Sequence, residues 1–306
     1  MRALPSVPVL SVGWIGGVSR LCCILRGCLD AGVTQTTEIS AIQRGYTRGR
    51  FGQMHYRQAG PNDAVLPVLV LLHQNPSSSY EYEALIAAMA TDRRVIAFDT
   101  PGYGMSDAPP APPGMAGYAA AFGDALDAMG VAGPVDLYGF HTGTLLCIEL
   151  AISRPDLAGR LALTGIPMYP PDACAARLRE AVEYPEPDEE GTVIRTLLGN
   201  LWTYVVGNRD KRVPLDKAVR NFADKARVLH RFTWAYQGVW AYDYSRLPMM
   251  TRPALLLQPA EDLAEISIAG AALLPDCSVR HLPDLDRDIF DIAPDRIAHE
   301  LRTFFD

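Results

Sequence analysis

The stretch from Val135 to Gly143, Val-Asp-Leu-Tyr-Gly-Phe-His-Thr-Gly, constrains this chain more than any other. A short apolar strand runs into a turn bracketed by Gly139 and Gly143, and Thr142 to Ile152 then has the spacing and composition of a buried helix. The apex residue of so sharp a strand-to-helix turn sits in strained backbone and tolerates only small neighbours two positions either side. Gly139 and Gly143 meet that requirement. The apex is His141, where such a turn normally carries Ser, Cys or Asp, so the question of function is what a histidine does there.

The remaining order of elements agrees with a parallel, doubly wound sheet. Gln53 to Arg57 alternates as a strand, and its His55 reads as a sheet residue. Val65 to Leu72 and Arg94 to Phe98 are nearly continuous aliphatic runs, the pattern of strands buried on both faces. The first ends in the polar loop His73-Gln74-Asn75-Pro76, at a strand's carboxyl end, where open α/β sheets place ligands. The second ends in the Asp99 to Asp107 loop. Helices are expected over Glu81–Ala90, Ala116–Met129 and Thr142–Ile152, with a strand at Arg160–Leu163.

Between about Pro167 and Pro248 the alternation stops. Pro170, Pro171, Pro185 and Pro187 break the entry, and Thr192–Val206 and Leu215–Tyr244 then look helical, so this segment reads as an inserted cap. Its aromatics include Trp234, Trp240 and Tyr244, which are candidates to line a pocket as well as to pack the cap on its base. Strand–helix alternation resumes at Ala254–Leu257, passes through Glu261-Asp262 and a strand near Val279–Leu282, and closes with a helix at Pro294–Phe305. The expected organisation is therefore an atypical extension at 1–40, a core formed by 41–166 and 249–306, and a helical cap at 167–248.

Composition excludes several classes of function. With 49% hydrophobic and 21% charged residues and a net charge of −7, the chain reads as an ordinary globular protein without a polyanion-binding surface. The six cysteines, at 22, 23, 28, 147, 174 and 277, have no metal-site or disulfide-scaffold spacing, so reduced thiols and a cytoplasmic setting are expected. Val7 to Val18 is apolar but interrupted by Pro8 and too short to span a bilayer comfortably. No glycine fingerprint or metal-ligand cluster implies a cofactor. The expected partner is a small-molecule substrate, with neither nucleic acid nor membrane, and a homodimer is left open.

With the Val135–Gly143 turn, the His73-Gln74-Asn75-Pro76 loop, the Asp99–Asp107 loop and the inserted cap in view, the chain from about Gln53 onward resembles the α/β-hydrolase superfamily. Within it, the two loops look most like the capped haloalkane dehalogenase and epoxide hydrolase branch. The resemblance implies an α/β-hydrolase fold, with His141 at the nucleophile position of the elbow, Asp262 at the acid position, and the Asp284–Asp288 loop where a histidine is usual. That loop holds Arg287 instead. The amides of Gln74 and Thr142 match the oxyanion-hole positions, and Asn75 matches a position that helps hold halide in the dehalogenase branch.

The chemistry left open by these departures is specific. Arg287 stays protonated and cannot be a general base, so pairing with Asp262 or clamping an anionic group are its alternatives. A neutral imidazole at a pocket floor is a credible base toward water or a substrate C–H or O–H, and a less common nucleophile. The expected function is cleavage or rearrangement of a small carbonyl compound, hydrolytic or lyase-type. The catalytic set would be His141, Asp262 and Arg287, the oxyanion hole Gln74 and Thr142, and the substrate wall His73, Asn75, Trp234, Trp240 and Tyr244. The alternative is a binding protein that kept the pocket and lost catalysis, and a serine-type site using His281 is a third.

Overall fold

A computed structural model describes residues 41–306, and the extension read at 1–40 lies outside the described residues. Eight strands form one sheet: β1 (Gln43–Gly49), β2 (Gly52–Ala59), β3 (Leu69–Leu72), β4 (Val95–Phe98), β5 (Val135–Phe140), β6 (Ala158–Thr164), β7 (Ala254–Pro259) and β8 (Cys277–Leu282). Their order is β1-β2-β4-β3-β5-β6-β7-β8. β1 pairs antiparallel with β2 and β2 antiparallel with β4, while every other pair is parallel. β1 has no apolar alternation to announce it. Its polar sequence reflects its place at the edge, where most of it is exposed.

The central strands are buried along their whole length because both faces are covered. In β3, Val70 and Leu72 enter one core while Leu69 and Leu71 enter the other, and β4 divides in the same way between Ile96 with Phe98 and Val95 with Ala97. The first core packs against α2 (Gly114–Ala128) and α3 (Thr142–Ser153). The second packs against α1 (Glu83–Met89), α9 (Ile289–Ile292) and α10 (Pro294–Phe305). β3 starts at Leu69, four residues later than the apolar run suggests: Pro67 has no N–H to give a ladder, and Val65 is fully exposed.

Between β6 and β7 the chain is helical, with α4 (Pro171–Val182), α5 (Thr192–Trp202), α6 (Leu215–Ala226) and α7 (Trp234–Trp240); α8 (Ala264–Ala271) follows β7. Pro171 does not break this segment. It is the first residue of α4, where a missing N–H costs nothing. A single turn of π-helix, Thr203–Gly207, extends α5. The expected long helix over Leu215–Tyr244 is two helices separated by a turn, where the Thr233 hydroxyl donates to the Ala181 carbonyl, 2.9 Å away, and ties α7 to α4. Glu149, buried in α3, accepts from Tyr242 Oη at 2.7 Å and Arg246 Nε at 2.7 Å, and so fastens the end of this segment to the sheet layer. Among the described residues no helix is long and apolar enough to cross a membrane.

Candidate active site

His141 stands between the last residue of β5 and the first of α3, with φ 49° and ψ −110°. A non-glycine residue in such backbone carries about 1–3 kcal/mol of strain, which persists only where the surroundings impose it. They do so here by close approach. A Cβ on Gly143 would overlap the Leu72 carbonyl, and one on Gly139 would overlap the carbonyl of Gly143, so the strand and helix can meet only at glycines. The His141 N–H donates to Thr164 O at 2.8 Å, and its carbonyl accepts from Thr144 N and Oγ1 at 2.9 and 2.6 Å. The imidazole stacks on Phe140 with ring centres 4.1 Å apart.

The partner of this ring is Glu261. His141 Nε2 lies 2.6 Å from Glu261 Oε2, and the glutamate side chain is only 8% exposed. Glu261 follows β7 and precedes Asp262, the expected acid, by one residue. Asp262 is exposed and makes no hydrogen bond or ion pair among the described residues. Arg287 pairs with Asp288 at 3.5 Å and donates to the Tyr204 carbonyl at 3.0 Å, so the expected Asp262–Arg287 pair is not formed. The reason is local: Asp288 sits beside it in left-handed backbone, and the Arg287 guanidinium lies over the Tyr204 ring. His281, the partner required by a serine-type site, lies exposed on β8 opposite Gln258.

A carboxylate on the imidazole accepts the Nε2 proton and leaves Nδ1 with the lone pair. Nδ1 makes no hydrogen bond among the described residues. The pair sits against Gly165, where φ is 74°; a Cβ there would overlap the His141 ring and stand 2.8 Å from Glu261 Oε1. Gly165→Ala should therefore displace the dyad and lower the melting temperature by a few degrees, equivalent to about 1–3 kcal/mol from strain and overpacking, as read by thermal unfolding.

The oxyanion-hole expectation is corrected at Gln74. Its backbone N–H donates to Glu81 Oε1 at 3.1 Å, its side-chain Nε2 donates to Glu81 Oε2 at 3.0 Å, and Ser77 Oγ donates to the same oxygen at 2.8 Å. The donor offered to an oxyanion is thus already taken by an internal carboxylate. Thr142 is the first residue of α3, so its N–H has no intrahelical acceptor. Glu81 was not singled out in the sequence, because Ser78-x-x-Glu81 reads as a helix capping box. The Ser78 side chain does cap, accepting from Tyr80 N, but Glu81 reaches past it to Gln74 and Ser77.

The substrate-wall expectation divides. Asn75 and Trp240 line a cavity of about 530 Å³ together with His141, Thr142, Gln74, Glu81, Glu261, Asp262 and Arg287. His73, Trp234 and Tyr244 do not line it. His73 is fully buried, accepting from Thr100 N at Nε2 (2.9 Å) and donating from Nδ1 to Gln74 O (2.6 Å), which fixes its tautomer and makes it a loop brace. The Tyr244 hydroxyl donates to the Pro167 carbonyl, and its ring packs on Tyr242. Trp234 opens α7, two residues before Tyr236, and it is Tyr236 that stacks on Trp240 at 5.1 Å and lines the cavity.

Residues 67–186 match the family described as the alpha/beta hydrolase fold. A cis-3-alkyl-4-alkyloxetan-2-one decarboxylase from Xanthomonas campestris is 30% identical over 125 residues, which are 38% of this chain and 41% of the relative. A haloalkane dehalogenase from Psychrobacter cryohalolentis is 50% identical over 58 residues, 19% of this chain and 18% of the relative. The chain thus spans less than half the length of the curated relatives it matches. A thermophilic esterase from Thermogutta terrifontis superposes with a TM-score of 0.65 at 23% identity, over 86% of this chain and 97% of that one. The sheet order, the strand–turn–helix at His141 and the match over residues 67–186 agree: the fold of this chain is the α/β-hydrolase fold.

Proposed function

We propose that this protein is an α/β-hydrolase-fold enzyme that cleaves or rearranges a small carbonyl compound, with His141 as its general base and Glu261 as the carboxylate that orients it. The observation that carries this reading is the 2.6 Å Nε2–Oε2 bond at the strained apex, at the wall of a 530 Å³ cavity. In a serine-type site the imidazole and carboxylate serve a third residue. Here the imidazole stands where the superfamily pattern has its nucleophile, and Nδ1, which makes no hydrogen bond among the described residues, is the atom assigned to act on what the cavity holds, either a water beside a carbonyl or an acidic substrate proton. The Thr142 amide is assigned to hydrogen-bond a developing oxyanion. Asp262 and Arg287, apart from one another, are assigned to binding rather than to proton transfer.

Serine catalysis has little support, since the nearby serine hydroxyls are committed: Ser77 donates to Glu81, Ser78 to Asp224 and Ser79 to Asp99. Wild type and His141→Ala are to be compared on activated esters, lactones including an oxetan-2-one, epoxides, haloalkanes and β-keto acids, with products identified in ¹⁸O-labelled water. Turnover of one class that disappears in the variant supports the reading. Label in the product assigns hydrolysis, and its absence assigns lyase-type chemistry.

A second reading, a binding protein without turnover, is favoured by one observation, the filling of the Gln74 donor by Glu81. Thermal stabilisation by a ligand that neither protein converts would support it.

A further inference from the structure

The charged residues that line the cavity are mostly acidic. Glu81, Glu261, Asp262 and Asp286 all line it, and none of the four pairs with a lysine or arginine among the described residues. The remaining lining charges largely cancel. Arg287 pairs with Asp288; Asp291 with Lys217 at 3.6 Å; and Lys225, beside Asp224, donates to the Pro76 carbonyl at 2.9 Å. The cavity therefore holds an excess of carboxylate: Glu81 and Glu261 are partly buried in its wall, where charges act at longer range than in water, and Asp262 and Asp286 are exposed.

Two further observations point to an occupant. Asn75 is 3% exposed and lines the cavity with both its Oδ1 and Nδ2 unpartnered, and Glu261 Oε1 is likewise buried without a partner. Native proteins leave few buried polar atoms unpaired unless a ligand or water completes them. The aromatic wall adds the second observation. Tyr80, Tyr169 and Tyr204 already carry Lys217, Arg177 and Arg287 over their rings, at 3.9, 4.7 and 5.1 Å from the ring centres. The stacked Tyr236–Trp240 pair and Phe232 line the cavity with no cation upon them among the described residues. Of the aromatic side chains, indole attracts cations best.

We infer that the cavity binds an organic cation, so that the substrate is a carbonyl compound bearing a protonated amine or quaternary ammonium group. This rests on the proposed function only for the carbonyl. The ammonium group is argued from the carboxylates and rings. The ammonium lies among Trp240, Tyr236 and the carboxylates that no lysine or arginine pairs, and the Asn75 carboxamide completes the ligand's polar atoms. Glu81, held in place by Gln74 and Ser77, acts as a binding anion rather than a proton carrier.

The test is calorimetric, on the intact protein, with three probes of one shape: choline, its neutral isostere 3,3-dimethylbutan-1-ol, and 3,3-dimethylbutanoate. Choline should bind at least about tenfold more tightly than the alcohol, and the carboxylate should bind least, as expected for desolvated cation–π and charge contacts. The preference should shrink on raising salt. It should be lost in Trp240→Leu with the melting temperature retained, and recovered in Trp240→Tyr. His141→Ala should keep it, which separates this inference from the catalytic one. Choline preference without turnover by any substrate would overturn the catalytic reading alone. Equal or tighter binding of the alcohol or carboxylate, or no measurable choline binding, would overturn the cation.

Discussion

His141→Ala should lower kcat/KM on any substrate the protein turns over by about 10²- to 10⁴-fold, the range supplied by a positioned general base. The backbone at φ 49° is already non-glycine, so alanine adds no new conformational demand, and the variant should stay folded. The informative comparison is with Glu261. If the carboxylate acts only by holding the ring and its tautomer, Glu261→Ala should be severe in the presence of the imidazole and nearly silent in its absence. The double variant should then fall within a few-fold of His141→Ala alone, the non-additivity expected of residues that work as a unit. Glu261→Gln should keep more activity than Glu261→Ala, because no partner of Oε1 fixes the amide and its oxygen can turn to accept from Nε2, leaving Nδ1 free. Additive losses in the double variant would show that Glu261 acts on the substrate directly. Full activity in His141→Ala would remove the histidine from the chemistry.

How the site was legible follows from the kind of signal each residue carries. The turn at His141 could be read because close approach of strand and helix excludes any Cβ at two fixed positions, and a pair of glycines around a non-glycine apex is a strong mark of that constraint. The central strands could be read because burial on both faces demands unbroken aliphatic sequence. The acid could not be resolved between Glu261 and Asp262. Both stand in one irregular turn after β7, with no period of 2 or 3.6 to say which faces inward.

Glu81 was hidden for a related reason, since a carboxylate three residues after a helix-capping serine already has a sufficient local explanation. Trp234 and Trp240 show the limit of composition. Both are aromatic residues of α7, but one and two-thirds turns separate them, and only Trp240 reaches the cavity. Departure of both the nucleophile and the usual histidine from the superfamily pattern was visible at once. The His141–Glu261 contact at that turn was not, because it needed the distance.

Asp99→Asn should cost about 2–4 kcal/mol of stability, the penalty of leaving buried donors unpaired, and lower the melting temperature by about 5–10 °C. Asp99 is fully buried at the end of β4. One of its oxygens accepts from Ser79 N at 2.7 Å and from Ser79 Oγ, and the other accepts from His55 Nδ1 and Met105 N, both at 2.8 Å. An asparagine can turn either end toward either pair. Ser79 Oγ can rotate and the His55 ring can change tautomer, but one backbone N–H, Ser79 or Met105, must then face an NH2 group. No orientation avoids it. Gly104 offers no relief, since a Cβ there would overlap the carboxylate.

The same cluster sets a pH dependence. Burial alone would raise the Asp99 carboxyl, but the His55 hydrogen bond and the other donors outweigh it and hold it at about 2. A carboxyl depressed in the folded state stabilises the protein above its unfolded value of about 3.9. That stability, roughly 2–3 kcal/mol, is lost as pH falls from about 4 through 2. Wild type should therefore converge on Asp99→Asn in acid unfolding and diverge from it at neutral pH. A constant gap across that window would show that sterics rather than charge hold the cluster. Because Ser79 begins the turn that presents Glu81, the variant should also loosen the Gln74 loop, so ligand binding should weaken along with stability.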